Sequence, residues 1–275
     1  MSASDSLQIG AGAAWSIDEI RRGLAVKRLG GNIHYFPELD STNTYARQLA
    51  ENGAREGESV IAEMQTQGRG RLGRRWQSPP FANLYFSVIL RPQLPPAQAP
   101  QITLTAAVAL AETVAWFIAQ SVTIKWPNDI LVDGKKLAGI LTEVSCDAER
   151  VHYVILGIGV NLNYRVAAMP EEIRAHATSI AELTGKSFHR ESFLRRLIQA
   201  LDRCYGELEE NGFARLAPRW EAHFGLRGER VRIELLDQIV IGRAIGIDKD
   251  GALLVEDEHG AIKRVIAGDV TALES

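Results

Sequence analysis

The sequence predicts an α+β protein: a mixed β-sheet flanked by helices, followed by a small all-β unit of the SH3-like barrel kind. Three observations predict it. Up to about residue 225, strand-like apolar runs alternate with two segments of clear helical period. From Leu226 the runs RGERVRIEL, QIVIGRAIGID, GALLVED, AIKRVI and DVTAL are short, separated by Gly- or Asp-containing turns, and free of helical period. The length, 275 residues, suits one large domain and a small one. The expected division is a partly disordered leader over 1–30, a large domain over 31–225 and the β-unit over 226–275. The linker between the last two is short, so the β-unit should dock rather than swing.

Apolar residues at 46% and charged residues at 24% are ordinary for a soluble globular chain, and a net charge of -3 excludes a polyelectrolyte binder. MSASDSLQIGAGAAW has no basic region leading an apolar core, so it does not read as a secretory signal. The longest apolar candidate, Leu104 to Ile118, is broken by Glu112 and Thr113, which argues against a membrane span and for a cytoplasmic protein. Cys146 and Cys204 match no metal or redox spacing and read as buried free thiols in a reducing compartment.

In chain order, residues 1 to about 14 are small and polar and are expected to be disordered. Asp18 to Leu24 could form a short helix before Gly30-Gly31, and Ile33 to Phe36 reads as a strand. LDSTNTYARQLAENG follows as a helix, with Asp40 or Ser41 as N-cap, Tyr45 and Leu49 on one face and Gly53 as stop. A Ser-Thr-Asn cluster at a helix start is ordinarily a cap; the alternative is that it faces a ligand. Ser59 to Met64 and Asn83 to Leu90 read as strands, the second apolar enough for a sheet covered on one or both faces. Pro92 to Pro100 turns the chain into a helix over Thr103–Gln120, with Leu104, Val108, Ala111, Val114, Ala115 and Ile118 at helical spacing. Val122 to Trp126 is a strand ended by Pro127. Asp129 to Val132 and Lys136 to Ser145 form a hairpin about Asp133-Gly134, which has type I′ chemistry. Val151 to Asn161 is a buried strand. Its Gly157-x-Gly159 lacks the following helix and the acidic residue of a dinucleotide fold, so the Rossmann reading fails. Pro170 opens PEEIRAHA, Ser179-x-x-Glu182 resembles a capping box, and Ser192 to Glu209 is the second long helix.

Between the strands ending at Met64 and beginning at Asn83 lies a loop carrying Arg69, Arg71, Arg74 and Arg75, punctuated by Gly68, Gly70 and Gly73. Arginine supplies a permanent fork for carboxylate or phosphate oxygens, and glycine lets backbone N–H groups approach an anion. Like-charge repulsion and glycine entropy predict a loop that is mobile until an anionic ligand neutralises it. Against a slightly acidic chain this favours a discrete anion site over a broad nucleic-acid footprint.

Four segments in this order are far more specific together than singly: Ser41-Thr42-Asn43-Thr44, GRGRLGRRWQSP, KWPNDI with KKLAGIL downstream, and GIGVNLN. With the β-unit behind them, they resemble the biotin protein ligases over about residues 33–275. The resemblance implies a catalytic domain of the class II synthetase-like kind over 31–225, with an SH3-like barrel after it. It further implies activation of biotin by ATP as biotinyl-AMP and transfer to a lysine of a biotin carboxyl carrier domain. Two departures stand out. Only about thirty residues precede the first strand, too few for the DNA-binding domain of the repressor-type members, so neither repression nor DNA binding is expected. Leu72 stands where relatives often carry a base, a loss expected to be tolerated.

Residue by residue, the resemblance implies Lys136, Arg69, Arg71 and Asp129 as catalytic groups. Ser41, Thr42, Asn43, Gln65, Gly68, Arg69, Gly70, Arg71, Lys136 and Gly139 would meet biotin. Arg71, Trp76, Asn128, Asp129, Lys136 and Asn161 would meet the nucleotide, with Asp129 a ligand for Mg2+. Position alone would make Lys136 an exposed hairpin lysine, as Lys135 beside it is expected to be. A lipoate–protein ligase is the nearest rival, and the arginine loop and C-terminal unit point away from it. A nucleic-acid module is poorly supported, because Trp76 is the lone aromatic among the arginines. A homodimer is compatible with the sequence, and no membrane partner is expected.

Overall fold

Alternation along the strand Leu84–Leu90 organises the molecule, because both of its faces are covered. Phe86, Val88 and Leu90 enter the main core on one side, while Ile89 joins a smaller cluster with Ala46, Ala50, Val60 and Ile155 on the other. A strand covered twice must be apolar throughout, and every residue of this one is buried.

The computed structural model describes residues 14–235 and 238–273. Residues 1–13, expected to be disordered, lie outside the described residues. In chain order the elements are α1 (Ile17–Arg21), β1 (Ile33–Leu39), α2 (Thr42–Glu51), β2 (Ser59–Gln65), β3 (Leu84–Leu90), α3 (Pro100–Phe117), β4 (Val122–Lys125), β5 (Asp129–Val132), β6 (Lys135–Cys146), β7 (Val151–Val160), α4 (Glu171–Arg174), α5 (Ile180–Thr184), α6 (Arg190–Asn211) and α7 (Ala217–Ala222). The C-terminal strands are β8 (Arg230–Glu234), β9 (Ile239–Ile247), β10 (Leu253–Glu256), β11 (Ile262–Val265) and β12 (Asp269–Ala272).

Among the described residues the large sheet has seven strands in the order β1-β2-β3-β7-β6-β5-β4. β1 and β2 are parallel, joined by α2 across the sheet, and the remaining neighbours are antiparallel, so the sheet is mixed as expected. α2 covers one face; α3 and α6 pack together over the other. α3 begins at Pro100 rather than Thr103, since proline lacks an N–H that the first turn would leave unbonded anyway. Residues 14–30 fold onto α6: Asp202 accepts from the backbone N–H groups of Lys27, Arg28 and Leu29, each at 2.8 Å. Trp15 lies under Arg190, whose guanidinium is bound in the core by Glu63 at 2.8 Å.

The C-terminal strands form a second sheet of five in the order β11-β10-β9-β8-β12. Its end strands do not pair among the described residues, so this is an open antiparallel sheet with the strand content of an SH3-like unit rather than a closed barrel. It docks firmly. Trp126 Nε1 donates to Gly251 O at 3.2 Å, and the backbone of Ile247 donates to Glu221. Val231, Ile233 and Leu253 belong to the same core cluster as α3 and α6.

Cys204 is buried as expected, and burial pushes its thiol up to about 11. Cys146 is not: it is exposed, at the frayed end of β6 where a register shift loosens the ladder. Among the described residues no helix is long and apolar enough to cross a membrane.

Candidate active site

The cavity is built on the α2 side of the sheet, and glycines make its floor. Register places Tyr85, Gly159, Gly139 and Asp129 in one row across β3, β7, β6 and β5, and Ser87, Gly157 and Leu141 in the next. Directly paired residues share a face, so Gly157, Gly159 and Gly139 open a trough where side chains would otherwise stand. The space is used by side chains from elsewhere. A Cβ on Gly157 would lie 2.0 Å from Asn43 Oδ1, and one on Gly159 would lie 2.6 Å from the Trp76 indole. The G-x-G of this strand is thus neither a turn nor a dinucleotide motif but the bed of a cavity of about 350 Å³.

At one end stands the start of α2. Ser41 precedes the helix, but its side chain caps nothing. Thr42 donates to Gln65 Oε1 from its N–H at 2.9 Å and from its hydroxyl at 3.1 Å. Ser87 Oγ donates at 2.7 Å to Asn43 Oδ1 and lies 2.8 Å from Thr42 Oγ1. Asn43 Nδ2 donates to Glu143 at 2.8 Å. The Ser41 side chain is thus not the cap expected of it, and the cluster stands at the wall of the cavity. All three residues line the cavity, with Thr42 held by Gln65 and Asn43 by Ser87 and Glu143.

At the other end Lys136 Nζ donates to Asp129 Oδ2 at 2.8 Å, while Asp129 Oδ1 is buried without a partner among the described residues. Simple alternation would turn Lys136 away, because in a regular strand it is Leu137 that shares a face with Gly139. A bulge intervenes: Ile130 pairs with Ala138, but Leu131 pairs with Lys136. The extra residue re-aims the side chain, and Lys136 Cε comes within 3.4 Å of a Cβ placed on Gly139. Lys135 points to solvent, as expected.

The arginine loop closes the trough as a narrow hairpin. Trp76 N–H donates to Gly68 O at 2.9 Å, Gly70 N–H donates to Arg74 O at 2.7 Å, and Arg71–Gly73 form a single 3₁₀ turn at the tip. Leu72, 71% exposed, adopts φ 54°, a left-handed conformation unfavourable for a side chain with a Cβ. Each arginine has a protein acceptor: Arg69 on Glu143 at 3.0 Å, Arg71 on Asn128 Oδ1 at 2.9 Å and Gly268 O at 2.8 Å, Arg74 on Asp269, and Arg75 on Thr66 O at 3.1 Å. Burial pulls the Arg71 guanidinium below its usual range, opposed by Asp269 and Asp129. The Trp76 indole lies on Gly159 and Gly139, its Nε1 buried without a partner among the described residues, with Lys136 Nζ 5.6 Å from the ring centre.

Nearly every residue expected at the site lines this one cavity: Ser41, Thr42, Asn43, Gln65, Arg69, Gly70, Arg71, Trp76, Asn128, Asp129, Lys136, Gly139 and Asn161. Gly68 does not. A Cβ there would lie 2.5 Å from Trp76 O and 2.7 Å from Ser78 Oγ, so this glycine serves the closure of the hairpin base rather than approach to a ligand. Asn161 reaches the wall, but its amide is engaged with Thr178 O at 3.0 Å and Asn83 at 3.3 Å. Sequence reasoning missed Ser87, Glu143 and Asp269, which hold the polar end and the loop from strands distant in the chain. It also missed the segment Glu172–Ala177, which walls the cavity beside Lys136 and is tied there by Lys136 N–H donating to His176 O at 2.7 Å.

Comparison with known proteins agrees in both parts of the chain. Residues 35–161 match the family model described as Biotin/lipoate A/B protein ligase family, and residues 227–271 match the Biotin protein ligase C terminal domain. The bifunctional ligase/repressor BirA of Bacillus subtilis is 38% identical over 255 residues, 93% of this chain and 78% of that protein. The biotin--[acetyl-CoA-carboxylase] ligase of Mycobacterium tuberculosis is 37% identical over 271 residues, 96% of this chain and 92% of that protein. Among solved structures, the biotin protein ligase of Aquifex aeolicus in complex with biotin and ATP superposes with a TM-score of 0.76 at 31% identity, covering 89% of this chain and all of that one.

Proposed function

The chain belongs to the biotin protein ligase family, and from that premise we propose how its cavity joins biotin to ATP and hands the biotinyl group to a protein. The enzyme activates biotin as biotinyl-AMP and transfers it to a lysine. The observation that carries the residue assignment is the convergence of the polar α2 end, Lys136 and Arg71 on one glycine-floored trough.

The ureido head of biotin is neutral and polar, its fused sulfur ring apolar. Ser41, Thr42 and Asn43 supply the polar end, and Trp76, seated on the glycine floor, offers an apolar wall to the fused rings. The carboxylate tail then points along the trough to Lys136. In the first step a biotin carboxylate oxygen bonds to the α-phosphorus of ATP while the bond from that phosphorus to the bridging oxygen breaks and pyrophosphate leaves. Two anions must meet, and Lys136 places fixed positive charge where they do, while Arg69 and Arg71 of the loop hold the ligand and retain the adenylate. Trp76 offers an indole face toward the nucleotide end, and Asn128 holds Arg71 there.

The orphaned Oδ1 of Asp129 suits a hard cation, since Mg2+ is content with one or two carboxylates plus phosphate oxygens. Asp129 is the residue that would hold it, and its chemistry there would be neutralisation of phosphate charge. In the second step the acceptor amine attacks the acyl carbon; the C–N bond forms, the C–O bond to AMP breaks, and AMP leaves with the electron pair. An unperturbed lysine amine is almost wholly protonated near neutrality, so its proton needs an acceptor, and Asp129 is the residue assigned to take it. The natural acceptor is a biotin carboxyl carrier domain. Incubation with biotin, Mg-ATP and such a domain should add one biotinyl group to one carrier lysine by mass measurement. An unmodified carrier, or equal use of lipoate, would overturn the reading.

A further inference from the structure

The arginine loop is fastened to the C-terminal sheet at one corner, Gly268–Asp269. Arg71 bridges two parts of the molecule: one Nη donates to Asn128 Oδ1 at 2.9 Å, just before β5, and the other to Gly268 O at 2.8 Å. Three residues on, Arg74 forms an ion pair with Asp269. The corner is shaped for this. Gly268 has φ 145°, and a Cβ there would lie 2.7 Å from Ile233 Cγ2, so a side chain could not be added without shifting the turn that presents its carbonyl. Asp269 then opens β12, paired with Glu234 on the face opposite the buried Ile233 and Val270. Within this part of the chain the corner thus offers one neutral and one charged acceptor to two arginines of the loop tip.

Resting on the function proposed above, we propose that Gly268–Asp269 is a positioning element of the ligase reaction: the C-terminal sheet holds the arginine loop down over the cavity through Arg71 and Arg74. On the other wall, Glu143 holds Arg69 at 3.0 Å. The loop is therefore clamped from both sides, and Asp269 is the clamp that belongs to the second sheet. Asp269 touches no reacting atom in this scheme; it acts through Arg74 and, by charge, through Arg71.

The loop supplies its own reporter, because trypsin cleaves after arginine and four of them lie here. In the full chain, Asp269→Arg should raise the rate of tryptic cutting after Arg71 and Arg75 by about tenfold, as an ion pair is replaced by repulsion. Release of biotinyl-AMP should accelerate by a similar factor, with the melting temperature unchanged. The swap Arg74→Asp with Asp269→Arg restores the pair in reverse and should bring both rates back to within about twofold of the parent. Parental cutting and release in Asp269→Arg, or a swap no better than the single variant, would overturn the proposal. Cutting is read without substrate, so a parent enzyme that made no biotinyl-AMP would count against the proposed function while the clamp was still judged by proteolysis.

Discussion

Asp129 and Lys136 meet at 2.8 Å across the β5–β6 hairpin through one carboxylate oxygen, leaving the other buried and unpartnered among the described residues. The pair is thus both neutralised and unfinished. The ammonium is fixed in place, and an acceptor remains for a cation or a proton. Lys136→Met should lower formation of biotinyl-AMP by roughly two to three orders of magnitude, the loss expected when a charge aimed at a developing anion is removed. Pyrophosphate release measures it. Asp129→Asn should slow both half-reactions; parental rates in both would remove this carboxylate from the chemistry.

Arg71 joins the loop tip to Asn128 and Gly268. Arg71→Gly should leave adenylate synthesis largely working but shorten retention of biotinyl-AMP, so that bystander lysines become labelled. Single-turnover trapping of the adenylate tests this, and retention as long as the parent's would refute it.

Gly157 is a packing requirement of the polar end, since a Cβ would enter the space of Asn43 Oδ1. Gly157→Ala should displace Asn43 and weaken biotin binding by about tenfold or more, corresponding to one lost buried hydrogen bond of ~1.4 kcal/mol or above. Titration calorimetry with biotin alone gives the answer without ATP.

The two thiols should separate cleanly under an alkylating reagent. Cys146 is exposed, while Cys204 is buried and desolvation raises its thiol to about 11. At pH 8 in the folded state, one equivalent should attach, at Cys146, as peptide mapping would show; modification of Cys204 should require unfolding.

Much of this was legible in the chain because it is local. Helical period marks α3 and α6, and Asp133-Gly134 takes the positive φ values that its hairpin turn demands. Ser179 does cap α5, accepting from Glu182 N–H at 3.2 Å. What was not legible depends on register. The phase of Lys136 turns on one extra residue between Ala138 and Lys136, which no alternation pattern reveals. The floor of the trough becomes visible only when Gly139 is known to pair with Gly159. Glu143 and Asp269 look like ordinary surface carboxylates until the loop is folded over to reach them. Nor does the composition of the loop, read by itself, reveal the acceptors that its arginines meet on both walls.

The core cluster that runs from α3 into β8 and β10 carries a practical consequence. Leu104 Cδ1 lies 2.2 Å from where a Cβ on Gly251 would be, and Trp126 is bonded to the same glycine. The last fifty or so residues therefore cannot be traded between relatives as a cassette cut at residue 226. A chimera must inherit both sides of this seam together, or the graft will bring a methyl group where the host has left room for none.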